Sequence, residues 1–110
     1  EILSLADSLE ILDLSNNQMT VDGQDMYGMM QFIESLEHNG TLQTLNLSNN
    51  ALDAECGKAL RKVLETNISI ISCDTSMNDF NIDDTRAIQG YVARNKEEYD
   101  AHRLREWKER

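Results

Sequence analysis

The spacing Leu9-x-x-Leu12-x-Leu14-x-x-Asn17-x-Met19 recurs as Leu42-x-x-Leu45-x-Leu47-x-x-Asn50-x-Leu52, so an internal repeat organises this chain before any other feature does. A third copy keeps the frame with smaller residues at two leucine positions, reading Ile70-x-x-Cys73-x-Thr75-x-x-Asn78-x-Phe80. Alternate side chains of an extended segment point to opposite faces. The repeated leucines therefore fill one side, and Ile11/Asp13/Ser15, Thr44/Asn46/Ser48 and Ser72/Asp74/Ser76 line the other. Stacked copies build a parallel sheet. The column Asn17, Asn50 and Asn78 is expected to bond backbone groups in the turn after each strand, groups that a buried loop would otherwise strand.

Asn50 and Asn78 stand 28 residues apart. From Ala54 to Leu64 the residues Cys56, Ala59, Leu60, Val63 and Leu64 recur at helical steps, and Ala87, Ile88, Tyr91 and Val92 repeat them one period later. Asn39, Asn67 and Asn95 share the 28-residue interval and are expected where the chain leaves each helix, in the left-handed conformation that asparagine tolerates. The string L-x-x-L-x-L-x-x-N-x-L resembles the leucine-rich-repeat family over nearly all of residues 1–95. Its period resembles the ribonuclease-inhibitor class, in which a short strand is followed by a full α-helix. The resemblance implies an α/β fold: a right-handed solenoid with parallel strands on the concave face and helices on the convex face, ending here in a C-terminal charged helix.

The first interval is longer. Asn17 to Asn50 is 33 residues, while the helix-end asparagines keep 28, so five extra residues lie between Asn17 and the second half of the first helix. The segment VDGQDMYGMMQFIESLEHN carries Met26, Met29, Met30, Phe32, Ile33 and Leu36, an apolar surface wider than one stacking stripe requires. Flexible thioethers suit adaptable contacts, which makes Met26, Tyr27, Met29 and Met30 candidates for binding another chain, against a default role in the core.

Ala6 precedes Asn17 by the same 11 residues that separate Asn39 from Asn50, so residues 1–5 fall at a preceding helix end and the chain opens in mid-repeat. With fewer complete repeats than the ~3 that a solenoid needs, this reads as the C-terminal part of a longer array. Past Asn95 the pattern fails, because Glu98, Ala101 and Arg103 stand where leucines belong. Residues 96–110, KEEYDAHRLREWKER, hold five acids and five bases without Gly or Pro, and are expected to continue as a helix with opposite charges four apart, such as Glu98/His102 at low pH and Glu106/Arg110. The division expected is a repeat solenoid over 1–95 and a charged helical extension or cap over 96–110.

Charge narrows the partners. Ten Lys+Arg against twenty Asp+Glu give a formal charge of −10, all of it in residues 1–95. That balance opposes the attraction to phosphate on which nucleic-acid binding depends and offers anionic lipid no basic patch, so neither nucleic acid nor membrane is an expected partner. No apolar run approaches the ~20 residues of a membrane-spanning helix. Two cysteines, Cys56 and Cys73, without a Cys/His cluster argue against a disulfide scaffold or structural zinc and for a reducing, cytoplasmic setting.

No constellation for catalysis emerges, and no cofactor is implied. His38 and His102 belong to different regions. Asp79, Asp83 and Asp84 lack the glycine and closing glutamate of a calcium loop; Asp83 and Asp84 suit the positive end of the last helix instead. Cys73 replaces a core leucine, and neither cysteine has a basic neighbour in sequence. The triplets at Asn39, Asn46 and Asn67 match a glycosylation acceptor only because the repeat generates them. Candidate partner-binding residues are Asp13, Asn46 and Asp74 over Ser15, Ser48 and Ser76 on the concave face. Tyr99, Leu104 and Trp107 on the terminal helix either pack back as a cap or dock to a neighbour.

The stretch IQGYVARNKEEYDAHRLREWKER is similar to the ends of leucine-rich-repeat subunits of ciliary and flagellar axonemes, notably the repeat subunit of the nexin–dynein regulatory complex. A comparable ending is found in tropomodulin-like proteins, which cap actin filament pointed ends. The first resemblance implies a static scaffold among microtubule-associated subunits in the axoneme. The second implies an actin contact through the repeat surface and terminal helix. Resemblance to ribonuclease inhibitor implies a third reading, an acidic concave face against a basic enzyme, although serine-rich columns lack the aromatic anchors of very tight interfaces. The expectation is a non-catalytic protein-interaction scaffold within a cytoskeletal assembly.

Overall fold

The computed structural model describes residues 9–16 and 26–109. Asn17, Met19 and the mid-repeat opening at residues 1–5 lie outside them, as does the first part, residues 17–25, of the stretch between Asn17 and the second half of the first helix to which the repeat spacing assigns the five extra residues. The elements are β1 (Ile11–Asp13), α1 (Met26–Ser35) prolonged by a 3₁₀ turn (Leu36–His38), β2 (Thr44–Asn46), α2 (Ala54–Thr66), β3 (Ser72–Asp74) and α3 (Ile82–Glu109). The three strands form one parallel sheet in the order β1-β2-β3. Leu12 faces Leu45 and Leu45 faces Cys73, while Asp13, Asn46 and Asp74 share the next row. This register is the one the repeat dictates, since a slip of one residue would turn every leucine to the wrong face.

Side chains from the strands and turns, Leu42, Leu45, Leu47, Leu52 and Ile70, are fully buried with Ile33, Leu36, Leu60, Leu64 and Ile88 from the helices. Cys73, in a leucine position, is buried too, and Leu9, Leu12 and Leu14 are half-buried against the same core. The α2 stripe expected from periodicity faces this core through Cys56, Leu60, Val63 and Leu64, and its first turn is capped by the Asp53 carboxylate, which accepts from the Cys56 N–H at 3.1 Å. Gly57 on α2 lies beneath the Phe80 ring; a Cβ there would fall 2.8 Å from Phe80 Cγ.

Two asparagine columns tie successive strand–helix units, or rungs, together. Asn50 donates to Leu14 O at 2.8 Å and Leu47 O at 3.1 Å; one rung on, Asn78 donates to Leu47 O at 2.9 Å and Thr75 O at 3.1 Å. Asn78 Oδ1 also accepts the N–H groups of Asn50 and Leu52 at 3.1 and 3.0 Å. Each side chain thus satisfies backbone groups of two rungs, as the sequence pattern required.

The second column differs from expectation. Asn39 and Asn67 are extended, with φ of −93° and −72°, and not left-handed. Their side-chain oxygens instead accept the N–H groups of the departing chain, Thr41 and Leu42 for Asn39, Ser69 and Ile70 for Asn67. Among the described non-glycine residues the left-handed ones are Asn16, Asn49, Ala51 and Met77, around the strand-to-helix turn. Reversal of the chain is needed there, whereas the helix end needs an acceptor.

Asn95 is not a helix end at all, because α3 runs unbroken from Ile82 to Glu109. Residues 96–109 continue the helix for ~21 Å at 1.5 Å per residue. The boundary between solenoid and extension therefore falls inside one helix. Leu104 and Trp107 stay exposed, Trp107 to 71%, so they do not pack back as a cap. The end of the stack is closed by earlier α3 residues. Gln89 Nε2 donates to the edge-strand carbonyl of Cys73 at 3.4 Å, and Arg94 Nη2 donates to Leu64 O at 3.0 Å and Asn67 O at 3.2 Å at the end of α2. Among the described residues of the extension Lys96 pairs with Asp100, and His102 Nε2 lies 3.0 Å from Glu106 Oε1, an ion pair when the imidazole is protonated, in place of the expected Glu98/His102.

Candidate functional site

The open face of the sheet presents the expected rows. Asp13 and Asp74 flank Asn46 in one row, with Ser15, Ser48 and Ser76 in the next. Within each rung the pair is locally bonded. Asp13 Oδ1 accepts from the Ser15 hydroxyl at 2.6 Å and its N–H at 2.9 Å, Asn46 Oδ1 from the Ser48 N–H at 2.9 Å, and Asp74 Oδ1 from the Ser76 N–H at 3.0 Å and hydroxyl at 2.7 Å. These bonds favour the ionised form. The Ser15 hydroxyl and N–H hold the Asp13 carboxyl below its ordinary value, and the Ser76 N–H and hydroxyl do the same for Asp74. Asn46 stands between the two carboxylates, so they are not a general acid/base pair.

On α1 the structure separates the methionine candidates. Met29 is 3% exposed and belongs to the core with Ile33 and Leu36, which removes it from any contact surface; the 3.6-residue turn places it on the stripe that meets the leucines. Met30 is half-buried and lines a groove of about 390 Å³ between α1 and α2, with Ala59 and Val63 at its floor and Glu34, Glu37, Glu55, Lys58 and Lys62 around it. Tyr27 is exposed and its hydroxyl accepts from Gln31 Nε2 at 2.9 Å. Met26 opens α1. On α3, Tyr99 is half-buried between Lys96 and Arg103, each within 6 Å of its ring centroid, while Trp107 is open. The structure does not gather these candidates into one site. They occupy the sheet face, α1 and the extension separately.

Other groups have structural surroundings. Cys73 is pushed up to about 12 by burial and the nearby Asp74 charge, and Cys56 to about 11 by burial and Asp53, so both thiols are protonated near neutrality. Asp84 opens α3 but is also buried, paired with Arg61 Nη1 at 3.0 Å. The frame held a clue that sequence reasoning missed, because Asp84 lies 28 residues after the core residue Cys56. Asn39, Asn46 and Asn67 use their side chains in the turns, consistent with repeat geometry as the source of the glycosylation-like triplets. Among the described residues no group of three His, Cys, Asp or Glu is placed to hold a metal ion, and no helix is long and apolar enough to cross a membrane.

A Leucine Rich Repeat family profile matches residues 8–29 and 41–62, the first two copies of the motif. Those two segments match leucine-rich repeats. The third copy, outside the matched segments, supplies β3 of the same sheet. A solved structure described as leiomodin-1 actin-binding site 2 has a similar fold, with a TM-score of 0.58 and 22% identity over 71% of this chain and 43% of that one. The chain thus spans less than half the length of that structure. No curated protein sequence matches it. Leucine-rich repeats are generally protein-interaction units and typically non-catalytic, and a short-strand sheet backed by helices is the rigid support such contacts use.

Proposed function

We propose that this leucine-rich-repeat chain is a non-catalytic docking scaffold of a cytoskeletal assembly in the cytoplasm, with the ciliary or flagellar axoneme as the first reading. The observation that supports it best is the shape of α3, which closes the stack and then continues past Asn95 as an arm exposing Leu104 and Trp107. A rigid stack with a projecting helix suits a static linker that engages neighbours at two places. The similarity of the α3 sequence to axonemal repeat subunits supplies the setting.

A second reading is an actin contact, favoured by the likeness in fold to leiomodin-1 actin-binding site 2. Co-sedimentation separates the two. The chain is expected to pellet with salt-stripped axonemal doublet microtubules and to stay in solution with actin filaments. Pelleting with actin alone would replace the first reading by the second. Failure to pellet with either would overturn both.

A further inference from the structure

We infer that the connection from β3 to α3 docks an apolar segment of a partner protein flanked by lysine or arginine, with Met77 and Ile82 as the contact residues. The inference rests on the docking reading above and adds to it a place and a partner chemistry. Its anchor is the division of the connection into inner and outer residues. Asn78 turns inward to Leu47 O, Phe80 packs over Gly57, and the Asp79 N–H donates to Leu52 O at 2.8 Å. That leaves Met77, Asp79, Asn81, Ile82 and Asp83 exposed on a pinned backbone.

The third rung departs here from the second. Where the second has Asn49 and Ala54, the third has Met77 and Ile82, 73% and 65% exposed. Four residues lie between them, so their Cα atoms are at most ~18 Å apart even if the chain is fully extended. Met77 also holds φ at 60°, the left-handed conformation that Asn16 and Asn49 occupy at the equivalent positions and that asparagine adopts more readily than methionine. A less suitable residue for the backbone has its flexible thioether in water, where it serves a contact better than it serves the fold.

The charges around the pair select the partner. Asp74, Asp79 and Asp83 bracket it, no Lys or Arg lies between residues 74 and 83, and Arg86 is the first base to follow. An apolar segment with cationic flanks gains apolar burial and charge complementarity together, whereas an acidic one is repelled. No Lys or Arg occurs in residues 1–57, which hold ten acids, so this surface continues into a broadly acidic molecule that steers cationic partners.

The test uses two synthetic peptides, Lys-Lys-Leu-Phe-Leu-Lys-Lys and the same peptide with serine at its three apolar positions, titrated into the isotopically labelled chain and followed by amide chemical shifts. The first is expected to give saturable shifts centred on residues 76–84, and the second none there. The double variant Met77→Asn with Ile82→Ser is expected to weaken binding on the order of ten-fold while its thermal midpoint stays level or rises, because asparagine suits the left-handed turn. Equal shifts with both peptides, shifts spread over the whole acidic surface, or undiminished binding by the double variant would overturn the inference. Filament pelleting that the double variant leaves unchanged would also overturn it while the scaffold reading stands.

Discussion

Asn95 Nδ2 donates to Asn67 O at 2.9 Å, repeating from inside a helix the bond that Asn67 Nδ2 makes to Asn39 O at 3.1 Å from a helix end. The same amide reaches Ile70 O at 3.0 Å, and Asn95 Oδ1 accepts from Arg94. At 2% exposure the Asn95 side chain is shut off from bulk solvent. Asn95→Ala should therefore cost on the order of 2–3 kcal/mol of unfolding free energy, measured by urea denaturation. A loss under ~0.5 kcal/mol would mean that the column does not hold the third rung.

Gly57→Ala would ordinarily stabilise a helix by about 1 kcal/mol through propensity. Here its Cβ would lie 2.8 Å from Phe80 Cγ and 3.1 Å from Phe80 Cβ, too close to relieve by a small rotation of the ring. The net effect should be destabilisation of about 1–3 kcal/mol. Phe80→Leu, which copies Leu52 of the preceding rung, should recover part of that loss in the double variant. Thermal unfolding of the two single variants and the double variant reads the coupling directly.

Asp74, like Asp13, contributes to the acid sensitivity of the sheet face. Its carboxyl is held below the ordinary 3.8 by the Ser76 bonds, so on acidification the unfolded chain binds its proton first. The contribution to stability is complete above pH about 4 and is lost as pH falls through the lowered folded value. Asp74→Asn should retain the turn, since Asn46 makes the same bond to the Ser48 N–H at 2.9 Å, and should soften the loss of stability as pH falls below about 4. Melting curves across that range that fall equally for parent and variant would contradict the assignment.

Both cysteines should resist alkylation in the folded chain. With burial raising Cys73 to about 12 and Cys56 to about 11, iodoacetamide at pH 7.5 should react on the order of 100-fold more slowly than in urea, as followed by mass spectrometry. Fast labelling of Cys73 without denaturant would show that the β3 core position opens readily.

Much of the architecture was legible because a leucine column and an asparagine column have different jobs at fixed spacing. The pairing of Leu12 with Leu45 and Cys73 followed from the frame alone, even though Cys73 is not a leucine. The helix-end column was legible in position but not in conformation: Asn39 and Asn67 serve as acceptors for the chain ahead, while the backbone reversal falls to Asn49 and Met77. Periodicity could not separate Met29 from Met30, because neighbouring positions on a wide apolar face differ only in how the next helix packs. The candidate surfaces were named individually, yet the pair Met77 and Ile82 escaped notice, since the frame aligns them with Asn49 and Ala54 but does not tell that both side chains stay exposed.

The sequence by itself determined the stacking of three strands, their register and the side that holds the leucines, because alternation and a repeated frame admit one arrangement that buries them all. Only the tertiary structure decided where the stack is closed and what is left uncovered. Gln89, Arg94 and Asn95 end the array by bonding backbone carbonyls of earlier elements, and that frees Leu104 and Trp107 from a capping role. Such bonds depend on which carbonyl lies within ~3 Å of a long side chain, a distance that no spacing in a linear chain encodes.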